Sequence, residues 1–153
     1  MTHVRATTTV PGRVVEAEEL WYDRYRWAAW IDGFGHVIKL EGDWPHESAR
    51  LVWESRPRGR GRVQEVVTAY EARTGQTVDV EDAQLNGTQT VSFEPAGPDD
   101  VRVTLDLEYT LKNRSLFKRA ADLFLIRHDM TASLQRTLDR FGHERRAEMI
   151  TGS

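Results

Sequence analysis

The chain has 153 residues, one domain's worth, and a chain of this length buries roughly 70% of its unfolded surface without help from cross-links. It has no cysteine, which excludes thiolate catalysis, Cys-ligated zinc and disulfide switching. With 29% charged residues and a net charge of -3, its overall field gives no reason to expect nucleic acid or an anionic membrane as partner.

Met1-Thr2-His3-Val4-Arg5 carries no apolar core of a signal peptide, and no apolar run approaches the ~18 residues of a membrane span, so the expected location is the cytoplasm. Val4 to Val10, rich in β-branched residues, reads as an opening strand that Pro11-Gly12 ends. Val14, Ala17, Leu20 and Trp21 then recur at helical spacing, with Glu16, Glu18 and Glu19 on the expected wet side, where the early-turn acids suit the helix dipole. A second short helical piece runs from Arg24 to Trp30 and stops at Asp32-Gly33.

From Phe34 the period becomes two. Strands are expected over Val37–Glu41, Ala49–Ser55, Arg62–Ala72, Gln76–Gln84, Thr88–Glu94 and Val101–Leu111, an antiparallel meander with short turns. Asn86-Gly87 is the strongest hairpin signal, because a type I′ turn needs positive φ at both central residues. Arg56-Pro57-Arg58-Gly59-Arg60-Gly61-Arg62 offers four arginines to a phosphate, but its Pro and Gly read first as a solvated hairpin loop. In the last strand Val101, Val103, Leu105, Leu107, Tyr109 and Leu111 make one dry face, which Val91 with Phe93, Val78 with Val80, and Leu51 with Trp53 continue. The strand from Val63 alternates ambiguously; taking Val63, Val67 and Ala69 as inward, against Val66 and Tyr70, points Glu65 inward too.

A helical stripe closes the chain from Leu116 to Phe141, through Ala120, Leu123, Phe124, Arg127, Met130, Leu134 and Leu138. At ~1.5 Å per residue it spans roughly 39 Å, enough to cross a sheet. The domain is expected over 1–143, with 144–153 a polar tail that frays.

The order strand, two short helices, six-strand meander and long terminal helix resembles the helix-grip layout of the START-like (SRPBCC) superfamily, an α+β fold in which a curved antiparallel sheet wraps a C-terminal helix. Asp23-x-x-Arg26-Trp27-x-x-Trp30, following Leu20 and Trp21, is similar to that superfamily's segment closing the two short helices. Leu40-Glu41-Gly42-Asp43 and Gly61-Arg62-Val63-Gln64-Glu65-Val66 resemble its polyketide cyclase/dehydrase-like branch. The resemblance covers roughly Val4 to Phe141. It implies a cavity between sheet and helix, and superfamily members include lipid and hormone carriers, aromatic polyketide cyclases and ring-hydroxylating oxygenases. The oxygenase iron would need two histidines near a carboxylate, and His36, His46 and His128 sit in unrelated elements, so neither metal nor cofactor is expected.

Trp30, Trp53, Phe93 and Tyr109 come from elements that such a fold brings around one cavity, with Leu51, Val67, Val78, Val91, Leu105 and Leu107 from the dry face and Phe124, Met130, Thr131 and Leu134 from the helix; the bland alternative is an ordinary core. Arg127, in the middle of the helix stripe, either pairs with Glu65 or another carboxylate, snorkels to the rim, or meets a polar ligand group. Glu65 is the candidate general base, since an apolar wall raises a carboxyl pKa, against a plain salt bridge or a one-residue phase error. Tyr109 is a candidate donor to an enolate or phenolate, against a core tyrosine with its hydroxyl at the surface.

The leading expectation is therefore binding of a small hydrophobic, lipid-like or aromatic ligand by a monomer or homodimer. The alternative is a polyketide aromatase/cyclase using Glu65, Arg127 and Tyr109. A third is an interaction or stress-response module with a filled core.

Overall fold

The structure, a computed structural model, describes residues 1–113 and 120–151. β1 (Thr2–Pro11) leads into α1 (Val14–Tyr22), a 3-10 turn over Arg24–Arg26 and the short α2 (Trp27–Trp30). The meander follows as β2 (Phe34–Glu41), β3 (Arg50–Ser55), β4 (Arg62–Glu71), β5 (Gly75–Glu81), β6 (Leu85–Pro95) and β7 (Asp100–Leu111), before α3 (Ala120–Thr151). All seven strands form one antiparallel, curved sheet in the order β1-β7-β6-β5-β4-β3-β2, so the first strand closes on the last. This is the expected α+β helix-grip architecture.

Local chemistry explains where elements start and stop. Gly12 ends β1 at φ +108°, a backbone angle that favours glycine, and a Cβ there would stand 2.5 Å from Arg145 Nη2 and push its guanidinium aside. The Arg13 N–H donates to Glu16 Oε1 at 2.8 Å, satisfying one orphan donor at the start of α1. Glu18, expected on the wet face, is instead buried at 4% exposure, because its carboxylate accepts both the Arg73 N–H (2.7 Å) and Arg73 Nη1 (3.0 Å) from the β4–β5 turn. α1 is thereby tied to the sheet by a charge-assisted pair.

Three further sequence expectations need correction. The β5–β6 turn lies at Asp82–Gln84, not at Asn86-Gly87: Asp82 Oδ1 accepts the N–H groups of Gln84 (2.8 Å) and Leu85 (3.0 Å), and Asn86 and Gly87 pair within the ladder with Glu81 and Val80. An Asx turn therefore wins over the Asn-Gly dipeptide. Gly87 is needed for closeness instead, since a Cβ would meet the Glu108 carbonyl at 2.5 Å. In β4, Val63, Glu65 and Val67 do point inward, but a bulge between Val67 and Ala69 flips the phase, so Ala69 is exposed and Tyr70 turns in against Tyr22.

The third concerns α3. Its expected start at Leu116 lies outside the described residues, and it continues past Phe141 as helix to Thr151, with Arg145 only 4% exposed between Glu16 (3.1 Å) and Glu148 (3.0 Å). The fully enclosed face of α3 is Leu134, Thr137, Leu138, Phe141, Gly142 and Arg145. Asp32, in the loop after α2, fastens it: the carboxylate accepts Ser133 Oγ (2.7 Å), Arg136 Nη2 (3.0 Å) and Arg140 Nη1 (3.2 Å), and the Asp32 N–H donates to Thr137 Oγ1. Burial alone would raise this carboxyl, but the arginine and serine hydrogen bonds outweigh it and hold it below its ordinary value. No helix among the described residues is long and apolar enough to cross a membrane.

Candidate functional site

β3, β4 and β5 carry a wall that the aliphatic pattern of β7 does not prepare for. Leu51, Trp53 and Val78 face inward as expected, but Glu65 stands among them, paired in register with Leu51 and Val80. Gln76 and Gln89 extend the inward alternation of β5 and β6 by two residues each, adding two amides to the same face. Polar side chains on the concave face of a sheet need partners or space.

Here they border a cavity of about 70 Å³. All five tryptophans of the chain, Trp21, Trp27, Trp30, Trp44 and Trp53, line it. Several are fixed by their own indole N–H groups: Trp27 donates to the Trp21 carbonyl (2.8 Å), Trp44 to the Tyr22 carbonyl (3.0 Å), and Trp53 to Glu65 Oε2 (2.8 Å). The Trp30 N–H is buried without a partner among the described residues. Edge-to-face packing of Trp27 on Trp44 and of Trp30 on Phe141 stiffens the assembly. By the ~10–15 Å³ that one water needs, the space suits roughly five waters or one compact molecule, below the ~300–1,000 Å³ of a drug-sized pocket.

Glu65 is the acid on this wall. Burial pushes its carboxyl above the ordinary value, with the Trp53 hydrogen bond and the charge of Arg60 pulling the other way. An acid so placed exchanges a proton closer to neutral pH than a surface glutamate does. Arg60 belongs to the arginine hairpin expected to be merely solvated. Its guanidinium lies 5.6 Å from the Trp53 ring centroid, and its Nε donates to Asp82 Oδ2 at 2.8 Å, so one of the four arginines turns back onto the cavity.

Of the residues expected at this site, Trp30, Leu51, Trp53, Glu65, Val78, Val91, Leu105 and Leu134 line the cavity. Val67 packs beside it with Ala49 and Val78, while Phe93 and Leu107 are buried in the main core, Phe93 against Trp21 and Tyr22. The N-terminal half of α3 departs from the expectation. Phe124 is 68% exposed, Met130 is partly buried against the core, and Thr131 directs its hydroxyl to the Arg127 carbonyl. Arg127 is exposed and reaches the His3 carbonyl of β1 at 3.5 Å. The reason is the course of the helix: Arg127 and Gln135 both touch the backbone of β1, so this half lies over the sheet's first edge rather than over β3–β5.

Tyr109 is buried at the opposite end of β7, bordering a separate cleft with Met1, Thr2 and Leu123; burial raises its hydroxyl above the ordinary value. The structure thus does not assemble Glu65, Arg127 and Tyr109 into one constellation. It brings to Glu65 instead Arg60, Gln76, Gln89 and Thr137, together with Trp21, Trp27, Ile31 and Trp44. Among the described residues, no group of three or more histidines and carboxylates is placed to hold a metal ion.

The sequence profile of a family described as polyketide cyclase/dehydrase and lipid transport matches residues 1–144. A search of curated protein sequences finds no match. Among solved structures, the chain is similar to a protein of Thermus thermophilus (TM-score 0.72, 20% identity, covering 95% of this chain and 98% of that one). It is also similar to a conserved protein of Geobacillus kaustophilus (TM-score 0.68, 12% identity, 96% and 97% covered). A third is norcoclaurine synthase from Thalictrum flavum in complex with dopamine and hydroxybenzaldehyde (TM-score 0.67, 12% identity, 93% and 84% covered). At these identities the likeness is one of fold. With the profile spanning nearly the whole chain and the helix-grip sheet beneath it, the chain belongs to the polyketide cyclase/dehydrase and lipid transport family of the START-like (SRPBCC) superfamily.

Proposed function

We propose that the chain binds a compact hydrophobic molecule, aromatic or lipid-like, in the cavity bounded by β3–β7, the tryptophans and the middle of α3. The observation that carries this reading is the convergence of all five tryptophans on one space that also holds an inward carboxyl. A core built only for stability has no use for Glu65, Gln76 and Gln89 on its inner face, since each must be desolvated. Flat indole walls with a few polar groups are what an orienting pocket for a small ring or short acyl chain needs. The family's description includes lipid transport, and a relative in fold was solved with two small aromatic molecules, which supports a search at this ligand size.

Cyclisation or dehydration of a bound keto compound is the second reading, favoured by Glu65 alone, whose raised carboxyl can shuttle a proton beside an apolar wall. Arg127 and Tyr109 have no part in it.

Because every tryptophan borders the cavity, intrinsic fluorescence reports occupancy directly. Titration with benzamide, phenol and hexanoate is expected to change the emission saturably for at least one of them. Val78→Phe, which fills the space from β5, is expected to abolish the response while the far-ultraviolet dichroism stays native. A wild-type chain indifferent to the whole panel, or a Val78→Phe variant that still responds, overturns the reading. For the second reading, Glu65→Gln is expected to stop turnover of a small β-keto substrate without loss of binding; unchanged turnover removes Glu65 from that role.

A further inference from the structure

Arg60 is unusual among the four arginines of its hairpin. Arg56 and Arg58 are exposed, and Arg62 pairs loosely with Glu54 at 3.5 Å, but Arg60 folds back over Trp53 and lines the cavity. Its anchor is Asp82, whose side chain is 3% exposed and fully engaged, with Oδ1 closing the β5–β6 turn and Oδ2 holding Arg60 Nε. Asp82 is the one acid that Arg60 contacts among the described residues, and it takes only Nε. The two terminal nitrogens, the edge of the guanidinium that matches a carboxylate in bidentate fashion, make no hydrogen bond to the described protein. A guanidinium held by one edge on a buried acid and stacked on an indole is pre-organised, so a partner meeting its other edge loses little rotamer freedom.

The charge around it points the same way. The Arg56 N–H is bonded to the Gly33 carbonyl, and the adjacent Asp32 gathers Arg136 and Arg140. The hairpin thus concentrates four arginines, Arg56, Arg58, Arg60 and Arg62, in a chain whose net charge is -3, and Arg60 of them lines the cavity. A cationic hairpin beside the cavity attracts anions toward it. The carboxyl deeper in the cavity does not contradict this, because burial shifts it toward the neutral form and so lessens its repulsion of an anion.

We infer that Arg60 is the specificity-determining residue of the cavity and that the natural ligand is a small amphiphile with a carboxylate beside its apolar body, a claim that presupposes that the cavity takes a ligand at all. The carboxylate meets the free edge of Arg60, and the ring or chain enters among the tryptophans. Asp82 is the positioning residue.

Benzoate and benzamide test this, as a planar pair of equal size that differs in charge. Binding at neutral pH is followed by tryptophan emission and calorimetry in the wild-type chain, Arg60→Gln and Arg58→Gln. The wild type is expected to prefer benzoate by about tenfold or more, the scale of one charge-assisted bidentate contact. Arg60→Gln should lose that preference while holding benzamide within about twofold, and Arg58→Gln should keep the preference. A wild type that binds both equally, or benzamide alone, leaves the cavity reading standing and overturns the role of Arg60, as does a preference that survives in Arg60→Gln. A wild type that binds neither overturns the role of Arg60, and the phenol and hexanoate titrations then decide the cavity reading separately. The wild-type ratio needs no variant, so it decides even if Arg60→Gln fails to fold.

Discussion

The two ends of the sheet are built by opposite rules. Where β1 and β7 meet the later turns of α3, Val10, Val101, Val103, Leu138 and Phe141 are wholly enclosed, and apolar side chains fill the space. Across β3, β4 and β5 the same concave face meets indole rings and carries Glu65 and Gln76, with a cavity left between. The first end puts its burial into stability. The second keeps desolvated polar groups that cost stability and are worth keeping for what they can touch.

The largest test of the contrast is Phe141→Ala at the filled end. It should cost about 3–5 kcal/mol in urea unfolding, because the rings of Trp21 and Trp30 that pack on Phe141 cannot collapse into the hole. Val78→Ala, on the cavity wall, should cost only about 1 kcal/mol, since it enlarges a space already present. Equal losses would erase the distinction between the two ends.

Asp32→Ala comes next, at about 1–2 kcal/mol, a figure reduced because Arg136 and Arg140 are half exposed. The Asp32 carboxyl sits below its ordinary 3.8, so its contribution is present above that value and is lost as pH falls through the folded one. Wild type and variant should therefore converge in acid. Glu65 has the reverse sign. Its carboxyl sits above the ordinary 4.5, so the folded state holds the proton, and the associated stability is present below 4.5 and lost as pH rises through the folded value. Glu65→Gln should consequently be more stable than wild type by about 1 kcal/mol at mildly alkaline pH, with the gain vanishing toward pH ~4. A Glu65→Gln chain that is less stable at every pH would mean the carboxylate is a structural partner. The smallest effect belongs to Arg127→Ala, exposed over β1, with less than about 0.5 kcal/mol in thermal unfolding and no change in ligand binding.

Much of this architecture is legible in the sequence because period-two and helical spacing are strong signals in β7, α1 and the middle turns of α3. The bulge in β4 is not, since nothing local marks Thr68 as the extra residue, and the two competing phases in that strand are each right for half of it. Arg145 reads as tail because its burial depends on Glu16, some 130 residues earlier in the chain. The same holds at the site. Glu65 is found from its own alternation, and Gln76 and Gln89 could have been found by extending the dry faces of β5 and β6 by two residues. Arg60 is hidden by its composition, because a Gly- and Arg-rich hairpin looks solvated until Asp82 supplies a reason for one arginine to fold back. Arg127 misleads for a geometric reason: helical spacing gives a face, not the direction in which the helix leaves the sheet.

Asp82 also makes one hairpin an informant about another. Its Oδ1 holds the amides of Gln84 and Leu85, and its Oδ2 holds Arg60. Any event that pulls Arg60 toward or away from that carboxylate loosens or tightens those two N–H groups in step. Hydrogen exchange at Gln84 and Leu85 therefore reads the state of the Arg60 guanidinium from a turn that no ligand needs to touch.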